Sequence, residues 1–275
     1  MSLRGKTLFL TGGSRGIGLA IALRAARDGA NVVIAAKTAT PDPRLPGTIH
    51  EAVAQIIAAG GQGLACVCDV RSEEQIQAAV QQTVAAFGGI DILINNASAL
   101  FLAGTEQTPA KRFDLVHAVN VRGTFLTSQA CLPHLRLAAN PHILNLAPPL
   151  ALESRWFAPH LAYSLSKFGM SLCVLGMSAE FRGDGIAVNA LWPRTAIDTA
   201  AIALIAGEAT RRRKTRRVEI MADAAHRVLT RPSRECTGRF LIDDEVLAEA
   251  GITDLARYLQ EGAAEADLMP DFFLD

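Results

Sequence analysis

Residues 7–23 read TLFLTGGSRGIGLAIAL, an apolar run that breaks into glycines and resumes with helical periodicity. A strand leading into this stretch must turn sharply at Gly12. A helix opening near Gly16 then aims the free N–H groups of its first turn back at the strand end. Glycine removes side-chain bulk and the helix N-terminus carries partial positive charge, so the turn suits the close approach of an anion. Glycines alone would also serve a merely tight turn. Their place between a first strand and a helix, with a second strand following at NVVIAA, points to a βαβ unit that holds a nucleotide.

The same rhythm runs along the chain. LACVCDV precedes EEQIQAAVQQTVAAFGG, DILINNA leads into a helical region through Leu137, and HILNLA, IAVNALWP and RFLID continue the strands. Continuous apolar strands between helices predict a parallel sheet covered on both faces. About seven strands are expected in one doubly wound α/β domain of Rossmann type over residues 1–275, with 243–275 as a carboxyl-terminal tail ending PDFFLD. That tail is expected to cover either the site or a subunit interface. Two stretches break the pattern. Residues 36–47 hold three prolines and predict a surface loop, and RRRKTRR at 211–217 reads as a solvated face or mobile loop rather than an anion or partner contact.

Half of the 275 residues are hydrophobic, enough for a core without disulfides or metal. Lys+Arg and Asp+Glu both number 27, which removes any electrostatic case for nucleic-acid or membrane-surface binding. The amino-terminal apolar run is too short to span a membrane and has no cleavage-site pattern. Cys66, Cys68, Cys131, Cys173 and Cys236 show no zinc or redox spacing, and an odd count argues against a disulfide framework. Free thiols in a reducing, cytoplasmic setting are expected.

The end of the second strand bears on the choice of nucleotide. Sheets of this kind that bind NAD place an acid there for the ribose 2′-hydroxyl. Here NVVIAA runs into Lys37 and Thr38, with no acid before Asp42. Lys37, with Ser14 and Arg15, offers positive charge and donors to a 2′-phosphate, so NADP(H) is preferred and NAD(H) stays the alternative. Asp69-Val70 and Asn95-Asn96-Ala97 end two further strands and face the same cleft.

These residues resemble the short-chain dehydrogenase/reductase family over nearly the whole chain. The matching motifs are TGGSRGIG at 11–18, Asp69-Val70, NNA at 95–97, Asn120 within HAVNVRGTF, and YSLSK at 163–167. IAAKT, NLAPPL, NALWPRTAI and PDFFLD narrow the resemblance to a hydroxysteroid-dehydrogenase-like branch, some of whose members carry a sterol-carrier domain not expected here. The resemblance implies NADP(H) bound by Gly12, Ser14, Arg15, Gly16, Ile17, Gly18, Lys37, Asp69, Val70, Asn96, Tyr163 and Lys167. It also implies Tyr163 as proton donor or acceptor, Asn120 holding a water in a relay, and a homodimer or homotetramer.

Tyr163 and Lys167 are four apart, so on a helix they share a face. A free phenol titrates at about 10, and a nearby ammonium lowers that value toward the working range. The family's usual serine, which hydrogen-bonds the substrate oxygen, is missing. Thirteen residues before Tyr163 stands Leu150, alignment on the strand end reaches Ala147 and Pro148, and 129–153 hold no Ser, Thr or Tyr. Losing such a donor costs about 3 kcal/mol of barrier. Three substitutes present themselves: Ser98 first, then Ser154 and His160. Trp156 and Phe157 are expected to border an apolar substrate. The expected protein is an oxidoreductase acting on a carbonyl and a secondary alcohol. The alternative is an NADP(H)-binding sensor, carrier or interaction module with little turnover.

Overall fold

The computed structural model describes residues 2–42 and 47–274; part of the proline-containing loop, 43–46, lies outside the described residues. Seven strands form one parallel sheet: β1 Thr7–Thr11, β2 Asn31–Ala36, β3 Gln62–Val67, β4 Ile92–Asn95, β5 His142–Asn145, β6 Ala187–Trp192 and β7 Phe240–Ile242. Their order is β3-β2-β1-β4-β5-β6-β7, so the winding reverses between β1 and β4. In a sheet wound this way the ligand crevice opens at the carboxyl ends of the strands beside that reversal. Register sets the crevice floor. Thr11 pairs with Asn95, Asn95 with Asn145 and Asn145 with Ala190, a row across four neighbouring strand ends.

Alternation within each strand supplies both faces of the core. Leu8, Leu10, Ile34, Ile92 and Ile94 face α1 (Gly16–Ala26), α2 (Ile49–Ala58) and α9 (Glu219–Leu229). Phe9, Val33, Leu93 and Ile143 face α3 (Glu73–Phe87), α5 (Gly123–Leu135) and α6 (Leu161–Glu180). Over the central strands neither face meets water, which is why they read as unbroken apolar runs. The connection after β4 is one helical region in three parts: α4 (Ala110–His117), a π turn (Ala118–Arg122) and α5. A π turn holds one residue more than an α turn, and this one carries Asn120. Two short helices, α7 (Ala200–Ala206) and α8 (Glu208–Lys214), follow β6.

Two stretches behave differently from their sequence pattern. The segment from 243 onward begins as a helix, α10 (Asp243–Glu249), whose Val246 and Leu247 lie in the core. Only after it does the chain run as an irregular tail. The basic run is exposed at Arg212, Arg213, Lys214 and Arg217, as a solvated face would be, but part of it is paired. Arg211 and Arg212 bond Glu208 from α8, and Arg217 bonds Glu219. Arg216 is buried, donates to Leu255 O at 3.0 Å and pairs with Glu265 at 2.6 Å. α8 ends at Lys214, so Arg216 lies on extended chain and turns inward to fasten the tail. All five cysteines are free. Cys66 and Cys68 are buried, and burial pushes both thiols up to about 11, so they are inert packing groups.

Candidate active site

The glycine turn forms the first wall of the site. Gly12 has φ +72°, and a Cβ there would sit 2.7 Å from the Ala97 Cα. A Cβ on Gly18 would sit 2.5 Å from the Asn96 amide nitrogen. The β4 end and the turn are therefore packed to backbone distance, and hydrogen bonds hold them there. Asn96 Nδ2 donates to Thr11 O and Gly12 O, at 3.0 and 2.9 Å, while Thr11 Oγ1 accepts from the backbone N–H groups of Asn96 and Ala97. Asn96 thus braces the loop. At Arg15, the residue before α1, no side chain caps the helix, and its first turn holds no acid. An uncapped helix end behind a glycine cradle fits the pyrophosphate of a dinucleotide.

A cleft of about 370 Å³ continues from this cradle, lined by Ser14, Arg15, Lys37, Thr38, Asp69, Val70 and Ser98 among others. The first residue beyond β2 is Lys37, and beside it Arg71, Lys111 and Arg112 line an adjoining hollow. Arg71 Nε holds the Asp69 carboxylate at 2.9 Å, and this pairing, together with Lys37, keeps Asp69 below the usual carboxylate range. Ile17 packs against the core, so its part in the loop is to seat α1.

The second wall is the first two turns of α6. Lys167 is buried and donates from Nζ to Leu146 O at 2.6 Å, with the ammonium 4.9 Å from the centre of the Trp192 ring. Burial pulls its pKa down to about 7, opposed by the charge of Asp271. Asn120 locks α6 to the β4 loop. Its Oδ1 accepts from Ala99 N at 2.7 Å, and its Nδ2 donates to Ala99 O and to Ser166 Oγ. Ser166 in turn donates to Tyr163 O. A water-relay role for the Asn120 side chain is thereby left with one Oδ1 lone pair.

Tyr163 is 6 % exposed, and its hydroxyl makes no hydrogen bond among the described residues. Burial pushes the phenol above its ordinary range, and the Asp271 carboxylate adds to the rise. The structure differs here from the expectation that Lys167 lowers this phenol, because the ammonium is directed to Leu146 O and the Trp192 face.

The end of the tail lies against the rings around Tyr163. Phe273 is buried at the centre of an aromatic cluster, its ring centroid 6.5 Å from Tyr163, 5.4 Å from Phe168, 6.0 Å from Trp192 and 6.1 Å from Trp156. Its φ is +71°, the left-handed region that a bulky side chain seldom adopts. Phe273, and the half-buried Asp271 two residues before it, are the residues near Tyr163 that sequence reasoning missed. The available signal was the acid-aromatic run PDFF closing a polar tail.

The three proposed serine substitutes fare differently. Ser98 is exposed on the wall of the dinucleotide cleft rather than in the cluster around Tyr163, so the structure does not bring the two together. Ser154 is exposed at the start of a 3-10 turn. His160 is buried, with its ring edge-on to Tyr163 at 5.8 Å. Ser164 Oγ must donate to Trp156 O, at 2.6 Å, so it accepts from His160 Nδ1 at 2.9 Å. Burial holds His160 below its ordinary pKa, leaving a neutral ring whose Nε2 is an acceptor. Such a ring does not polarise a carbonyl. Pro148 has no N–H to offer, and its carbonyl is taken by Ser171 Oγ at 2.7 Å.

Relatives of this chain are numerous. Hydroxysteroid dehydrogenase-like protein 2 of Danio rerio is 58% identical over 99% of this chain, and that of Homo sapiens 53% identical over 99%. The chain spans 65% and 64% of the length of these two relatives. A putative dehydrogenase from Xanthomonas campestris superposes with a TM-score of 0.95 at 61% identity, covering 100% of both chains. Among more distant structures, a metagenomic short-chain oxidoreductase in complex with NADP matches at TM-score 0.72 and 25% identity, over 88% of this chain and 98% of that one. NADH-dependent reductase A1-R′ complexed with NAD matches at 0.71 and 27%, over 87% of this chain and 95% of that one. The short chain dehydrogenase family model covers residues 6–206, from β1 past α6 and Lys167. With that match and these relatives, the chain belongs to the short-chain dehydrogenase/reductase family of oxidoreductases.

Proposed function

We propose that the protein is an NADP(H)-dependent oxidoreductase that interconverts a carbonyl and a secondary alcohol on an apolar small molecule. The observation that carries this reading is that Tyr163 and Lys167, held by Asn120, stand at the carboxyl edge of a sheet whose first turn is an uncapped glycine cradle. The dinucleotide, when bound, supplies or accepts the hydride at the substrate carbon. Tyr163 gives or takes the proton at the substrate oxygen, and Lys167 holds positive charge beside it. Burial keeps the phenol protonated at neutral pH, so it stands ready as the proton donor for reduction of a carbonyl. The ring cluster around Phe273 supplies an apolar, water-poor surface for the substrate body.

Lys37 supports the preference for the 2′-phosphate, because it stands where NAD-binding relatives of the fold place an acid. Lys37→Ala is expected to narrow the preference for NADPH over NADH by about tenfold, the worth of one charge-assisted contact. Calorimetric titration of both dinucleotides checks it, and equal wild-type affinities for the two would remove the assignment.

A second reading has its own support. The strand end before Tyr163 offers no hydroxyl, and Phe273 lies against the phenol. A dinucleotide-binding module with little turnover would show both features. The substrate panel described in the Discussion separates the two.

The α6 face bearing Leu161, Leu165, Leu172 and Leu175 is exposed and apolar, which supports a homodimer or homotetramer through that helix. A monomeric mass by light scattering at micromolar concentration would end that proposal. Balanced charge supports a protein without nucleic-acid partners, and the free thiols support a reducing compartment such as the cytoplasm. No helix among the described residues is long and apolar enough to cross a membrane.

A further inference from the structure

We infer that Phe273 is a positioning residue for Tyr163, its buried ring backing the phenol so that the hydroxyl is held in one place. The meaning of this for proton transfer rests on the function proposed above; the seating of the ring does not.

Tyr163 is fixed unevenly. Its backbone is tied down, since Ser166 Oγ donates to Tyr163 O at 2.7 Å and Asn120 holds Ser166. Its side chain is 6 % exposed and its hydroxyl makes no hydrogen bond among the described residues, so no polar contact sets the angle of the ring. What packs on the phenol must then orient it. Two rings lie beside it: His160, edge-on at 5.8 Å, and Phe273, at 6.5 Å with the planes 28° apart. His160 stands at the opening of the same helix, whereas Phe273 arrives from the far end of the chain.

The tail is fastened so as to deliver that ring. Met269 O accepts from Ala196 N at 2.8 Å, Pro270 bridges antiparallel to Thr195, and Asp271 N donates to Arg194 O at 3.0 Å. Phe272 O then accepts from Trp192 Nε1 at 2.9 Å. Four consecutive residues are thus pinned along 192–196, and Phe273 follows with φ +71° and 1 % exposure. A bulky residue keeps that conformation only where its surroundings over-determine it. Here they do: besides Tyr163, the ring packs on Phe168 at 5.4 Å and on Trp192 at 6.0 Å. The Lys167 ammonium lies 4.9 Å from the centre of the same indole. One side chain of the tail therefore abuts both the phenol and the platform of its partner lysine.

The first test is the order of the Tyr163 ring, read from NMR relaxation of the full chain carrying 13Cε-labelled tyrosine. The chain holds two tyrosines, Tyr163 and Tyr258, and Tyr163→Phe assigns their signals. In Phe273→Ala the Tyr163 ring is expected to lose order. Tyr258, whose hydroxyl donates to Asp223, should keep its own, which a general loosening of the fold would not allow. A Tyr163 ring as ordered as in wild type overturns the inference.

Turnover gives the second readout. In Phe273→Ala, kcat per NADPH-binding site is expected to fall by about tenfold to a hundredfold, the cost of a misplaced reacting group. KM for NADPH should stay within about twofold, because the glycine cradle is untouched. An unchanged or raised kcat overturns the inference, a raised one marking the ring as an obstruction to substrate. If Phe273→Ala does not fold, Phe273→Leu, which keeps apolar bulk without a flat ring, carries both measurements with the same expected directions. A wild type that reduces no carbonyl ends the proposed function, and ring order then decides this inference by itself. Turnover with equal ring order in variant and wild type ends this inference alone.

Discussion

Tyr163→Phe is expected to cut carbonyl reduction by a factor of about a hundred to ten thousand, the usual worth of one positioned acid-base group. The substitution keeps the ring that packs on Phe273 and removes a buried hydroxyl with no hydrogen bond among the described residues. Stability should therefore hold, since no partner is left unsatisfied. NADPH affinity should change by no more than about twofold, because the phenol contributes little to seating the phosphates. Steady-state rates on a panel of apolar ketones and secondary alcohols, with melting curves and NADPH titrations beside them, give all three readouts. A wild type that reduces some panel member at a rate the variant matches would sink the role of Tyr163. A wild type that binds NADPH yet reduces nothing in a broad panel would favour the module without turnover.

The second large effect is expected at the glycine cradle. In Gly12→Ala a side chain must adopt φ +72° and meet the Ala97 backbone at 2.7 Å. The left-handed conformation costs about 1 to 2 kcal/mol and overpacking about 1 to 3 more. The turn can relieve this only by moving off the β4 end, which breaks the Asn96 bonds to Thr11 O and Gly12 O. NADPH affinity should fall by about thirtyfold to a thousandfold. Gly88→Ala is the control. It has φ +82° with nothing within 4 Å of the new Cβ and lies at the end of α3, away from the cradle. That variant should lose stability by the conformational cost alone and keep its affinity. Equal affinity losses in the two would show that the effect is general weakening rather than a distorted cradle.

Much of this was legible from local pattern. The seven strands could be read because both faces of a parallel sheet are buried, which turns each strand into an unbroken apolar run. The cradle could be read because Gly12 and Gly18 answer short-range needs, a positive φ and a backbone approach, that a few neighbouring residues define. Other features needed the assembled fold. Ser98 and Tyr163 both belong to segments at the carboxyl edge, yet Ser98 follows β4 at the winding reversal and lines the dinucleotide cleft. Tyr163 instead arrives on α6 within a separate aromatic cluster. Arg216 sits in a run of like charges, and only the change from helix to extended chain after Lys214 turns it inward. Phe273 is the extreme case, its ring set among Tyr163 and Phe168 of α6 and Trp192 of β6, all remote in sequence.

The docked tail also decides where the molecule can be handled. Residues 272–274 lie against the rings that surround Tyr163, so an affinity handle or fluorescent protein fused after residue 275 would be anchored beside the chemistry and pull on Phe273. The amino terminus leads into β1 at the opposite edge of the sheet, from which every strand runs toward the cleft. Attachment there leaves the mouth of the site clear. Activity lost with a rear fusion and kept with a front one would report the position of the tail rather than a failure of the enzyme.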